Sequence, residues 1–176
     1  HDRCAATPRA GSLRTRVHGD FHLGQVLVVQ GDAFIIDFEG EPARPMEQRR
    51  AKGCPLRDVA GLLRSFDYAA ATAGEGRTAA APGVEERRAA LLPHFLDQAS
   101  AAFTAAYRGV LAEAPSPWIA PETEDGLLDL FLIEKAAYEI RYEVTNRPAW
   151  IGIPLRGLQA IARRVLDEPA ETETAS

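Results

Sequence analysis

The sequence predicts an α+β fold, mainly α, with a small β-hairpin followed by four or five helices. Three observations predict it. Val26–Val29 and Ala33–Ile36 are short apolar runs rich in β-branched residues, separated by Gln30-Gly31-Asp32, which is a hairpin signal. Beyond residue 55 the apolar residues recur at helical spacing. Pro and Gly then punctuate the chain at 74–83, 115–121 and 145–154, dividing the helical part. Two strands are not stable alone in water, so helices are expected to cover the hairpin.

A chain of 176 residues suffices for one domain with a core. Its 46% hydrophobic content makes it globular rather than disordered. The formal charge of −5 argues against general nucleic-acid binding. Cys4 and Cys54 supply neither a zinc site nor a disulfide framework, which fits a cytoplasmic protein. No apolar run is long enough for a membrane span. Residues 1–170 read as one unit, and 171–176 as a frayed tail.

In chain order, residues 18–25 form a polar loop with Gly19 and Gly24, and the hairpin follows. Residues 42–54 carry Arg44, Arg49, Arg50 and Lys52 and read as a solvated basic loop, its arginines pairing with Glu39, Glu41 or Glu47. A helix starts near Pro55 and runs to about Ala73, with Leu56, Val59, Leu62, Leu63 and Phe66 inside and Asp58 near its positive end. Gly-rich 74–83 reads as a mobile linker. A long helical pattern over Val84–Ala112 contains Pro93, expected to kink or split it. After a Pro-rich loop around Trp118, a helix spans about Thr123–Val144, with Leu127, Leu130, Phe131, Ile133 and Ala137 inside. A last helix runs from Pro154 to about Leu166, preceded by a connection holding Trp150 as a packing anchor.

The chemistry gathers at the hairpin. Asp20 precedes it, Asp37 follows it, and Gln25 lies between. A loop carboxylate can take a proton from a substrate hydroxyl within hydrogen-bond reach. An amide oxygen and a carboxylate, completed by water and phosphate oxygens, make an octahedral Mg²⁺ site. Together these roles match phosphoryl transfer, in which positioning and charge neutralisation dominate.

The string His18-Gly19-Asp20-Phe21-His22-Leu23-Gly24-Gln25 resembles the catalytic loop of aminoglycoside phosphotransferases, relatives of the protein kinases. With Ile36-Asp37-Phe38-Glu39-Gly40-Glu41-Pro42 and Pro55–Phe66, it looks more specifically like bacterial maltokinases, which phosphorylate maltose with ATP and often occur fused behind trehalose synthase. The resemblance covers most of residues 16–160. It implies the C-terminal lobe of a protein-kinase-like fold, with catalytic loop 18–25, metal motif 37–39 and a helical acceptor-binding part over 55–166. It also implies Asp20 as base, Gln25 and Asp37 as Mg²⁺ ligands, and His18 as a loop support; His22 either braces the loop or approaches phosphate or sugar. Gln25 stands where the superfamily has Asn, one methylene shorter.

On the helix near residue 138, Lys135, Tyr138, Glu139 and Tyr142 share one face. Two aromatics, an acid and a base suit a sugar. A solvated face with a Lys135–Glu139 pair is the plain alternative. The run Glu134–Glu143 with Asn146-Arg147-Pro148 resembles the maltose-binding helix of maltokinases and favours the sugar role. Tyr68 is a weaker candidate for the same pocket.

The expected function is the acceptor-binding, catalytic lobe of an ATP-dependent maltokinase, in trehalose and glycogen metabolism. Its partners are maltose, ATP and, by fusion or complex, trehalose synthase. The phosphate loop and Lys of a nucleotide lobe are missing from this chain, so alone it is expected to turn over little or nothing. One rival is a kinase of the same fold acting on an aminoglycoside, choline or homoserine-type hydroxyl, for which a carboxylate-dominated pocket would speak. The other is a non-catalytic kinase-like module docked to trehalose synthase.

Overall fold

The computed structural model describes residues 14–74, 83–114 and 119–167. Strands β1 (Val26–Val29) and β2 (Asp32–Ile35) form the antiparallel hairpin, with Val26 opposite Ile35 and Val29 opposite Asp32. β2 thus starts one residue earlier than expected. Gln30 (φ 54°) and Gly31 (φ 91°) make the two-residue turn, and positive φ at both central positions matches the twist of a tight hairpin.

Five helices follow. They are α1 (Met46–Arg50), α2 (Leu56–Gly74), α3 (Val84–Ala112), α4 (Pro121–Asn146) and α5 (Gly152–Asp167). α1 lies within the stretch read as a basic loop. There Arg44 pairs with Glu134 at 3.5 Å and the Arg49 guanidinium donates to the Glu39 carbonyl at 3.4 Å, so the expected local carboxylate pairs do not form. α3 is not split at Pro93. α4 starts at Pro121, where the missing N–H costs nothing in the first turn. Pro154 likewise falls in the first turn of α5.

α2 packs against α3, α4 and α5, and α4 packs against α5. The buried cluster is Leu56, Val59, Ala60, Ile119, Leu127, Leu128, Leu132 and Ile161. On α4 the register differs from the expected one. Leu128, Leu132 and Ala136 are buried, whereas Leu130 and Ala137 face outward. The long side chains of Glu139 and Glu143 continue the buried stripe.

The expected helical cover over the hairpin is not found among the described residues. Val28 is 74% exposed, and Leu27, Val29, Phe34, Ile35 and Phe38 are each about half exposed. The hairpin is held instead at its base, where its exit is bonded to the polar loop. Residues 1–13, the segment 75–82, Trp118 with Pro115 and Pro117, and the tail 168–176 lie outside the described residues.

Candidate active site

The loop 18–25 is fixed from three sides. The two Asp58 carboxylate oxygens, at the start of α2, accept the backbone N–H groups of His18 (2.6 Å) and Gly19 (2.9 Å). Ser65 Oγ accepts the Leu23 N–H at 3.1 Å. A Cβ on Gly61 would stand 2.6 Å from the Phe21 carbonyl oxygen, so only glycine lets the loop lie this close to α2. Burial, the largest influence, pushes the Asp58 carboxyl above the usual range, and the two N–H donors pull it back.

His18 ties the loop to the hairpin exit. Its Nε2 lies 2.7 Å from the Ile36 carbonyl oxygen and its Nδ1 accepts the Asp20 N–H at 3.3 Å. Those two partners set one tautomer, with the proton on Nε2. The ring is buried between Phe21 and Phe38, with centroids at 5.5 and 4.8 Å. His22 Nδ1 accepts the Gly24 N–H at 3.0 Å and caps the short 3₁₀ turn Leu23–Gln25.

Gln25 and Asp37 come together, with Gln25 Nε2 donating to Asp37 Oδ2 at 3.2 Å. Asp37 is exposed and has φ of 61°, a left-handed conformation that Asp adopts more readily than most residues. A half-turn of the Gln25 amide presents its oxygen beside the carboxylate. No cluster of three or more His, Cys, Asp or Glu suited to a metal occurs among the described residues. A pair of oxygen donors nevertheless fits Mg²⁺, which commonly takes one or two carboxylates and fills its octahedron with water and phosphate oxygens.

Asp20 opens onto a cleft of about 760 Å³ between the loop, α2 and α4. Of the residues expected on the α4 face, all four line it: Lys135, Tyr138, Glu139 and Tyr142. They do not share one environment. The Tyr138 and Tyr142 rings stack with centroids 6.4 Å apart, and Lys135 Nζ lies 5.2 Å over the Tyr138 ring. Lys135 does not pair with Glu139; its nearest carboxylate is Asp20, with Nζ to Oδ1 at 3.8 Å. Glu139 is buried, and its Oε2 accepts both Nε (3.0 Å) and Nη2 (2.8 Å) of Arg64. Burial raises the Glu139 carboxyl above the usual range and Arg64 opposes this.

Sequence reasoning missed several groups. Asp58 was placed only at a helix end, yet it grips the loop. Arg64, 2% exposed, pairs with both Glu139 and Asp67. Glu143, 1% exposed, accepts the Tyr68 hydroxyl at 3.0 Å and two Arg147 N–H groups at 2.6 and 3.0 Å. Arg147 also lies 4.7 Å over the Trp150 ring, so Trp150 anchors a cation as well as packing. Glu41 lines the cleft beside Tyr138. Burial and Glu41 together push the Tyr138 hydroxyl up to about 12. An Arg in the middle of an amphipathic helix was the one available signal for the Arg64 network.

No family model matches the sequence. Over 145 residues (82% of this chain) it is 31% identical to a glucosamine kinase of Streptacidiphilus jiangxiensis, covering 31% of that protein. Over 159 residues (88% of this chain) it is 30% identical to a glucosamine kinase of Mycolicibacterium smegmatis, covering 35% of it. The chain therefore spans about a third of the length of the curated relatives it matches. A solved glucosamine kinase in complex with glucosamine, ADP and inorganic phosphate superposes with a TM-score of 0.72 at 29% identity, over 85% of this chain and 35% of that one. These relatives are glucosamine kinases rather than maltokinases. No helix among the described residues is long and apolar enough to cross a membrane. With this likeness in three dimensions to a solved glucosamine kinase, the chain has a kinase-like α+β fold, its described residues forming a two-stranded hairpin and five helices.

Proposed function

We propose that this chain is the acceptor-binding and catalytic lobe of an ATP-dependent sugar kinase, and that its acceptor is an amino sugar of the glucosamine kind. One observation carries the reading. Asp20 stands at a cleft whose wall joins the Tyr138–Tyr142 stack to the carboxylates of Glu41, Glu139 and Glu143. A stacked aromatic wall suits a pyranose face, and Glu41 on the same wall offers a carboxylate to a protonated amine, Glu139 and Glu143 being held by Arg64 and Arg147. The glucosamine kinases similar to this chain, one of them solved with glucosamine and ADP, support the same choice.

In this reading Asp20 accepts the proton of the attacking hydroxyl. His18 and Asp58 hold the loop so that Asp20 faces the cleft. Gln25 and Asp37 would hold Mg²⁺, which, when bound, neutralises charge on the nucleotide phosphates. The remainder of the nucleotide site is expected on residues outside this chain. Maltose remains the second reading, favoured by a cleft of about 760 Å³, larger than one pyranose requires.

The test is an ATP-coupled assay of the full-length protein with glucosamine, maltose and an aminoglycoside. Phosphorylation of glucosamine at the highest kcat/KM, abolished by Asp20→Asn with sugar affinity kept, is the expected result. A preference for maltose would replace the acceptor, and activity surviving in Asp20→Asn would remove the base.

A further inference from the structure

We infer that Lys135 is a catalytic residue: its ammonium contacts the phosphoryl group in transfer and offsets the charge that develops beside Asp20. This rests on the kinase reading above and assigns Lys135 a task other than holding a sugar hydroxyl.

The reaction brings an anionic base, an anionic phosphoryl group and a hydroxyl losing its proton into one small volume. A new bond forms between the acceptor oxygen and the terminal phosphorus of ATP. The bond from that phosphorus to the bridging oxygen breaks, its electron pair stays on the departing ADP, and the hydroxyl proton goes to Asp20. A fixed cation at that point lowers the barrier most where water is excluded.

The loop 18–25 and the hairpin exit 35–42 contain neither Lys nor Arg. The other cations near the cleft are committed. Arg57 makes two bonds to Glu134 at 2.7 and 3.1 Å, and Arg44 pairs with the same carboxylate. Arg147 is held twice by Glu143, and Arg64 is buried against Glu139 and Asp67. Among the described residues lining the cleft, Lys135 is the cation that no carboxylate holds within hydrogen-bond distance.

Its placement supports the role. Nζ is 3.8 Å from Asp20 Oδ1, near enough for charge attraction and too far for a hydrogen bond. The Tyr138 ring 5.2 Å away steadies the ammonium without using its donors. An oxygen hydrogen-bonded to Asp20 at roughly 2.6–3.2 Å on the side that faces α4 can therefore also lie within reach of Nζ. Lys135 comes from α4, the helix that carries the sugar face, so the cation is positioned by the acceptor-binding element.

The experiment uses the full-length protein, with Asp20→Asn as reference. Lys135→Ala should lower kcat roughly 100-fold or more, with glucosamine Kd changed by less than about threefold. Lys135→Arg should recover part of kcat, and added primary amines should partly restore Lys135→Ala in a saturable way. Equal thermal melting of the variants controls for folding, and Lys135→Gln replaces Lys135→Ala if the latter melts early. A rise in KM with kcat unchanged would make Lys135 a sugar ligand and overturn the inference, as would unchanged kinetics. If Asp20→Asn itself keeps activity, the kinase reading fails first, whatever Lys135 does.

Discussion

Asp58 holds His18 across 40 positions of sequence: its Oδ2 accepts the His18 backbone N–H at 2.6 Å, while its other oxygen accepts that of Gly19. The base candidate Asp20 is the next residue along. The loop's conformation is thus set by a helix that begins after the hairpin and the α1 segment have intervened.

Asp58→Asn keeps one acceptor and turns an amide NH₂ toward a loop N–H that needs an acceptor. The expected loss is about 1–3 kcal/mol of stability from one unsatisfied donor. kcat should fall more than KM for the sugar rises, because the helix face at 138–142 is untouched. Urea melts and steady-state kinetics of the same preparation measure both.

Asp37→Ala should remove Mg²⁺-dependent ATP binding in the full-length protein and leave sugar binding in place. Calorimetric titration with and without Mg²⁺ reads this directly. ATP affinity that keeps its Mg²⁺ dependence would take the metal role away from Asp37.

The Arg64–Glu139 pair is buried on both sides, with side chains 2% and 9% exposed. Removing Arg64 leaves a carboxylate without its partner, so Arg64→Ala should cost about 3–5 kcal/mol. The same slot can be tested from α5. A Cβ on Gly157 would overlap the Arg64 guanidinium, so Gly157→Ala must displace it. Both variants should raise the sugar KM through Glu139, and Arg64→Met with Glu139→Leu should recover stability but not sugar affinity.

Alkaline stability should carry the signature of three tyrosines, of which Tyr68, half-buried and bonded to Glu143, is raised furthest. Burial is the first cause for each, and it raises Tyr138 and Tyr107 from 10.0 to about 12. The unfolded chain releases these protons near 10, and the folded protein keeps them to about 12. Between those values the folded state binds more protons, so stability is complete below pH 10 and falls as pH rises through the window. Tyr138→Phe should flatten that fall in a urea–pH series. The Tyr107 hydroxyl is buried and has no hydrogen-bond partner among the described residues. Tyr107→Phe should therefore flatten the fall too, and be neutral or stabilising at neutral pH.

Much of this was legible in the sequence. The hairpin follows from local chemistry at Gln30-Gly31, and α2, α4 and α5 from apolar spacing. Asp20, Gln25 and Asp37 stand out as candidates because they bracket the hairpin within a short stretch. Maltose is the acceptor the sequence implies, because residues 18–25, 36–42 and 55–66, and then the α4 motif, resemble those of maltokinases. In the proposed function, the similarity to glucosamine kinases favours an amino sugar instead, with Glu41 on the cleft wall.

The sequence by itself determined the hairpin and the main helices and pointed to candidate residues for the chemistry, since hairpin turns and helical periodicity are encoded by neighbours. Only the tertiary structure decided the partners. Lys135 faces Asp20 rather than the Glu139 one turn away, because Arg64 from α2 already occupies Glu139. Asp58 binds the loop rather than merely favouring a helix end. A buried charge takes whichever opposite charge the packed helices bring within reach, and that proximity is fixed by packing across tens of residues.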